Sequence, residues 1–129
     1  MKLIASGLVA SLTEELAAGQ VTGVACVISR SERHNVSRLQ PGQILVTEMT
    51  DASQEPNLLC AGAIITDRGG YTCHAALAAN MFGVPCVVGA EDASLRIQDG
   101  DLVMLTPDGN IYVMDVDDAV ERTAISVDH

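Results

Sequence analysis

The apolar positions fall into short runs separated by polar or glycine turns, with one longer alanine-rich stretch among them. Gln20 to Ser29 (QVTGVACVIS) follows an Ala18-Gly19 turn and reads as a strand. Pro41-Gly42 is a turn signal, and Ile44-Leu45-Val46 is the next strand. Thr47 to Asp51 leads into a predicted short helix, Glu55 to Ala61, in which Pro56 is tolerated at the first turn. The run Ile64-Ile65-Thr66 stops at Asp67-Arg68-Gly69-Gly70, and Thr72 to Phe82 then predicts a helix that Gly83 ends. Val84 to Val88 reads as a second buried strand. Strand, glycine turn, helix and strand make a right-handed βαβ crossover. Beyond it, Glu91 to Leu95 has room for one helical turn. Asp101 to Leu105 and Asn110 to Met114, joined by Pro107-Asp108-Gly109, predict a β-hairpin. This succession predicts an α/β domain with a mixed β-sheet and few helices over residues 1–115, followed by an acidic tail, 116–129, either helical around Asp118 to Thr123 or unstructured.

Composition narrows the picture. A chain of 129 residues is long enough for one domain with a core of its own. Tyr71, Phe82 and Tyr112 are its aromatic residues, so that core must be built from Val, Ile, Leu, Ala and Met. A net charge of −10 argues against nucleic acid and against an anionic membrane as partners. Arg30, Arg33 and Arg38 cluster in one polar segment, read as a solvated loop or a docking spot for an acidic surface. The opening Met1 to Leu12 has one lysine, is broken by small polar residues and runs into Glu14-Glu15, which does not fit a secretory signal. No run reaches membrane-spanning length, and the expected location is cytoplasmic. Cys26, Cys60, Cys73 and Cys86 lack zinc-type or redox spacing and are expected to be free thiols, with no metal site.

Candidate chemistry gathers at the turn before the alanine-rich helix. Gly69 and Gly70 allow positive φ and a close approach of the backbone to a bound group. With Thr72 as N-cap, Cys73, His74 and Ala75 occupy the first helical turn, where free N–H groups and the helix dipole favour an anion such as phosphate. The same partial charge disfavours imidazolium and leaves His74 with a nitrogen lone pair able to attack phosphorus. The glycines form neither a Walker loop nor a dinucleotide fingerprint. On the residues alone, a surface histidine beside an ordinary glycine turn fits the pattern too. His34, in the polar loop, and His129, at the end of the chain, have no second ligand nearby and are read as surface residues.

The stretch GGYTCHAALAANMFGVPCVVG resembles the Gly-Gly-x-Thr-Ser/Cys-His-Ala-Ala motif of the phosphohistidine swivelling domain of phosphoenolpyruvate-utilising enzymes, a family that includes phosphoenolpyruvate synthase and pyruvate phosphate dikinase. Cys73 in place of Ser is most like the synthase branch. Pro41 to Val46, Thr50-Asp51, Ala63 to Thr66 and Asp99 to Val103 fall where the family has such segments, so the likeness runs from about Leu3 to Val113. Two departures stand out. Ser11 to Leu16 replaces the family's Ser-Pro-Gly, and Thr50-Asp51-Ala52 lacks the usual proline and a nearby aromatic.

The resemblance implies the swivelling β/β/α fold, with His74 as the phosphoryl carrier. Thr72, Gly69 and Gly70 would support the phosphate. Arg68 would neutralise its charge or make a surface salt bridge, Cys73 would pack beside the site, and Tyr71 would contribute to docking. It also implies that ATP and Mg²⁺ are held elsewhere, on an ATP-grasp-type nucleotide-binding subunit. An acceptor-binding domain or subunit would then receive the phosphate, with pyruvate or a phenolic compound or alcohol as acceptor. A phosphoryl-carrier subunit of a split synthase-like dikinase and an excised domain both fit, the former better. The alternative is a non-catalytic interaction or regulatory module that retains the fold.

Overall fold

A computed structural model describes residues 1–32 and 38–114. Arg33, His34 and the tail 116–129 with His129 lie outside the described residues, as does the side chain of Arg30. The chain begins with two strands, β1 (Lys2–Ser6) and β2 (Leu8–Ser11), that share a hinge at Gly7. One helical turn, α1 (Glu14–Ala17), follows, its N-terminus capped by the Thr13 hydroxyl, which accepts from the Leu16 N–H. Then come β3 (Val21–Ile28), β4 (Ile44–Thr47), the short helix α2 (Glu55–Cys60), β5 (Ala63–Thr66), α3 (His74–Phe82) and β6 (Cys86–Val88). A last helical turn, α4 (Ala93–Arg96), precedes the hairpin of β7 (Leu102–Leu105) and β8 (Asn110–Met114).

The eight strands run in the order β1-β8-β7-β3-β4-β5-β6-β2. β3 is the junction of two pairing modes. Its first half, Val21 to Val24, pairs antiparallel with β7, and its second half, Ala25 to Ile28, pairs parallel with β4. β4, β5 and β6 continue the parallel part, whereas β2 closes it antiparallel. Because β1 and β2 lie at opposite ends of this order yet adjoin through Gly7, the sheet must curl until its two edges meet. Gly7 permits that closure. A Cβ there would lie 2.5 Å from the Val88 carbonyl oxygen, and its N–H donates to the Gly109 carbonyl at 3.0 Å.

Two cores result, one on each face of the parallel strands. Ile44, Val46, Ala63, Ile65 and Val87 face the inside of the curl with Leu16, Val103, Leu105 and Ile111. Leu45, Ile64, Cys86 and Val88 face the opposite side, where α2 and α3 cover them with Leu58, Ala75, Ala76 and Ala79. Every position of β4, β5 and β6 is therefore buried, as expected of parallel strands covered on both faces. The alanines let α3 lie close to the sheet, which fixes where its first residue, His74, emerges. Arg38 is committed within the fold. It pairs with Asp99 at 2.7 Å and donates to the Val27 carbonyl, so this member of the arginine cluster is no free docking group.

Candidate phosphoryl-carrier site

Loops that leave the C-terminal ends of adjacent parallel strands converge, and here two of them build the site. Thr47 of β4 lies in register with Thr66 of β5. The segments that follow, Glu48 to Gln54 and Asp67 to Cys73, are thereby brought side by side. They are tied together by backbone bonds from the Asp67 N–H to the Thr47 carbonyl and from the Arg68 N–H to the Glu48 carbonyl, both 3.1 Å. Asp67, buried behind the turn, accepts from the Ser94 N–H and hydroxyl and fastens the loop to α4.

The entry to α3 differs from the sequence expectation by one residue. Cys73, not Thr72, is the N-cap, with extended φ −71° and ψ 164° and no side-chain capping bond. A turn closed by the Cys73 N–H on the Gly70 carbonyl at 3.2 Å leaves Thr72 exposed outside the helix. The first helical bond runs from the Leu77 N–H to the Cys73 carbonyl at 3.1 Å. Hence the N–H groups without a partner inside the helix are those of His74, Ala75 and Ala76. Gly69 has φ +116°, and a Cβ there would lie 2.7 Å from Cys73 Sγ, so this glycine is required. Gly70 is not at positive φ, and a Cβ on it would meet nothing within 4 Å.

Arg68, Gly69, Cys73 and His74 come together around one cavity of about 280 Å³, with Met49, Thr50, Thr66 and Ala75. Gly70, Tyr71 and Thr72 do not line it. The His74 side chain is 33% exposed, so the ring is reachable and is not walled in. Arg68 borders the cavity, and its guanidinium also lies 3.4 Å from the Glu48 carboxylate.

Both ring nitrogens have neighbours that the sequence reading did not identify. Thr50, a buried residue, places Oγ1 2.9 Å from Nδ1. Glu55, more exposed, places Oε1 3.5 Å from Nε2. With Nδ1–H donating to the Thr50 oxygen, the ring keeps a lone pair on Nε2, the nitrogen that Glu55 faces; with Thr50 donating instead, Nε2 carries the proton. The signal that points to Thr50 is its place three residues beyond β4, next to the strand that carries the histidine loop. The four cysteines are free thiols, and burial pushes the Cys86 thiol up to about 12, with Cys73 adding to the effect. Among the described residues no group of three or more His, Cys, Asp or Glu is placed to hold a metal ion, and no helix is long and apolar enough to cross a membrane.

The family model for the PEP-utilising enzyme, mobile domain, matches residues 39–110, which span β4, β5 and β6, the histidine loop and the first strand of the hairpin. The chain belongs to this family. Within it, the mobile domain stands with the phosphoenolpyruvate synthases. That of Escherichia coli strain K12 is 42% identical over 95 residues, covering 74% of this chain and 12% of the enzyme. The chain thus spans about an eighth of that relative's length. The solution structure of enzyme I (nEIt) superposes with a TM-score of 0.54 at 24% identity, over 70% of this chain and 38% of that one. Crystalline aconitase X of Thermococcus kodakaraensis gives 0.58 at 16% identity, over 86% and 98%. These likenesses establish the swivelling fold, a small mixed α/β domain that is mostly sheet. One such fold in proteins so differently named means that chemistry must be argued from the site. The mobile domain is of the phosphohistidine type, in a synthase-like phosphotransferase family.

Proposed function

We propose that this chain is the phosphoryl carrier of a phosphoenolpyruvate synthase-like dikinase, active only with partners. His74 receives a phosphoryl group from ATP bound on an ATP-grasp-type subunit or domain and delivers it to an acceptor bound elsewhere, pyruvate or a phenolic compound or alcohol, with AMP and phosphate as the other products. The observation that carries this reading is the held imidazole: Nδ1 on Thr50 at 2.9 Å, the ring a third exposed, at the start of α3 beside a cavity of about 280 Å³.

The steps follow from that geometry. The Nε2 lone pair attacks the β-phosphorus of ATP, an N–P bond forms, and the P–O bond to AMP breaks with its electron pair; water then attacks the terminal phosphorus, phosphate leaves, and one phosphoryl group stays on Nε2. Throughout, Nδ1–H donates to Thr50 and keeps the ring from turning. The phosphoryl oxygens meet the partial positive charge of the helix start, with Arg68 within reach. In the second half an acceptor oxygen attacks phosphorus, and the N–P electron pair returns to Nε2. Magnesium belongs with ATP on the partner. The domain, taken as residues 1–115, travels between the two sites in the cytoplasm.

The test mixes the chain with the nucleotide-binding subunit and ATP labelled separately on its β- and γ-phosphates. Acid-labile, base-stable label on the wild type and none on His74→Ala is the expected outcome. Pyruvate or a phenol added next should remove the label, and whichever does so identifies the acceptor class. No label on the wild type with a competent partner would refute the carrier and favour a non-catalytic module.

A further inference from the structure

The nitrogen that the carrier reading needs faces a carboxylate. Glu55 Oε1 lies 3.5 Å from His74 Nε2. On the other side the ring is anchored through Nδ1 to buried Thr50, so Nε2 cannot swing away from Glu55 without giving up that bond. Glu55 opens α2, and Pro56, next in sequence, stiffens the backbone at that point. Its side chain is 53% exposed, so the core does not demand a carboxylate here. The cation bordering the cavity, Arg68, is drawn to Glu48 at 3.4 Å.

We infer that Glu55 is a positioning residue that shortens the lifetime of phosphorylated His74 and so favours onward transfer. The inference rests on the carrier reading above. In the resting protein the carboxylate accepts an N–H from Nε2 whenever the ring carries one there, and holds the ring between two partners. Once the N–P bond has formed at Nε2, the phosphoryl oxygens surround that nitrogen, and a fixed negative charge stands against their own. Like charges at such a distance repel, the more so in a partly enclosed pocket. The repulsion is relieved when the N–P bond breaks, its electron pair returning to Nε2 and the phosphoryl group passing to an acceptor oxygen or to water. A carrier benefits from this, because a phosphoryl group held too firmly would not be handed on.

The test compares wild type with Glu55→Gln, which keeps the shape and removes the charge, and Glu55→Asp, which keeps the charge. Each protein is phosphorylated by the nucleotide-binding subunit with ATP and, separately, by phosphoramidate, which needs no partner. Loss of the phosphorus NMR signal of His74, assigned by its absence in His74→Ala, gives the lifetime. Glu55→Gln should lengthen it about two- to fivefold, the range of a partly exposed charge pair. Glu55→Asp should stay closer to wild type than to Glu55→Gln. Thermal unfolding of the three unphosphorylated proteins should coincide, which separates the effect from a structural one. Equal lifetimes for wild type and Glu55→Gln, or a shorter one in Glu55→Gln, overturn the inference and leave the carrier reading intact. Absence of label on His74 from both donors overturns the carrier reading and this inference with it.

Discussion

The two glycines before α3 look equivalent in the sequence, but the structure gives them opposite tolerances. Gly69 sits at φ +116°, a conformation that L side chains rarely adopt, and a methyl there would lie 2.7 Å from Cys73 Sγ and 3.2 Å from Cys73 Cβ. Forcing a non-glycine residue into such backbone costs about 1–3 kcal/mol. Relieving the contact costs about another 1–2 kcal/mol, the lower part of the range for overpacking. The sum for Gly69→Ala is roughly 2–5 kcal/mol. At about 4 °C per kcal/mol for a domain of this size, the melting temperature should drop by roughly 8–20 °C. Gly70→Ala meets nothing within 4 Å, is not at positive φ, and should stay within about 0.5 kcal/mol of wild type. Because Cys73 is the N-cap that launches α3, Gly69→Ala should also displace His74 and depress its phosphorylation more than the lost stability explains. The assay is thermal denaturation of both variants, with labelling from ATP and the nucleotide-binding subunit at a temperature where each is folded. Equal melting temperatures for the two variants would refute the argument, as would a Gly70→Ala protein that loses labelling while Gly69→Ala retains it.

Three further expectations concern groups that the structure singles out. Thr50→Val removes the hydroxyl bonded to Nδ1 while keeping the shape, and should slow His74 labelling about tenfold for a bond worth about 1.4 kcal/mol, with Thr50→Ser restoring the rate; an unchanged rate in Thr50→Val would show that the ring needs no such anchor. Gln54 and Asn57 are fully buried, and their four side-chain polar atoms have no hydrogen-bond partner, so near-isosteric Gln54→Met should stabilise the domain by about 1 kcal/mol in urea unfolding, and a loss of that size would mean the amide is satisfied after all. The Cys86 thiol is raised from 9.0 to about 12 by burial, so the folded state holds its proton where the unfolded chain releases it. Stability from this group is complete below pH 9 and is lost between pH 9 and 12, at up to about 1.4 kcal/mol per pH unit. Unfolding midpoints of wild type should therefore fall more steeply over that window than those of Cys86→Ala, and parallel slopes would contradict the burial argument.

Much of the parallel half of the fold was legible because its signals are local. Short apolar runs, the Pro41-Gly42 turn and, in the hairpin beyond, the Pro107-Asp108-Gly109 turn each mark a boundary that the strands respect. The helix start was legible to within one residue. Thr72 has the better side chain for a cap, but the turn from Gly70 to Cys73 takes precedence and moves the helix on by one. What local pattern could not reveal is long-range. Nothing in Lys2 to Ser11 says that one strand pairs with β8 and the next with β6 at the far edge, because that depends on the curl of the whole sheet. Likewise Thr50 and Glu55 are 24 and 19 positions from His74, and only the parallel pairing of β4 with β5 brings them to its ring.

That pairing is where fold and chemistry meet. His74 follows the loop after β5, while both groups beside its two nitrogens come from the connection after β4. Their mutual distances are therefore decided by strand register, Leu45 on Ile64 and Thr47 on Thr66. A slip of β4 by one residue would turn Leu45 toward the inside of the curl and expel Val46 from it, so both hydrophobic cores oppose it. The 2.9 Å bond between Thr50 and Nδ1 is thus held by apolar burial beneath it rather than by its own modest strength. This arrangement would suit the proposed carrier, whose site has to keep one geometry while it docks in turn at two partners: the ring is aimed by the core of its own domain, and neither partner would have to supply the aim.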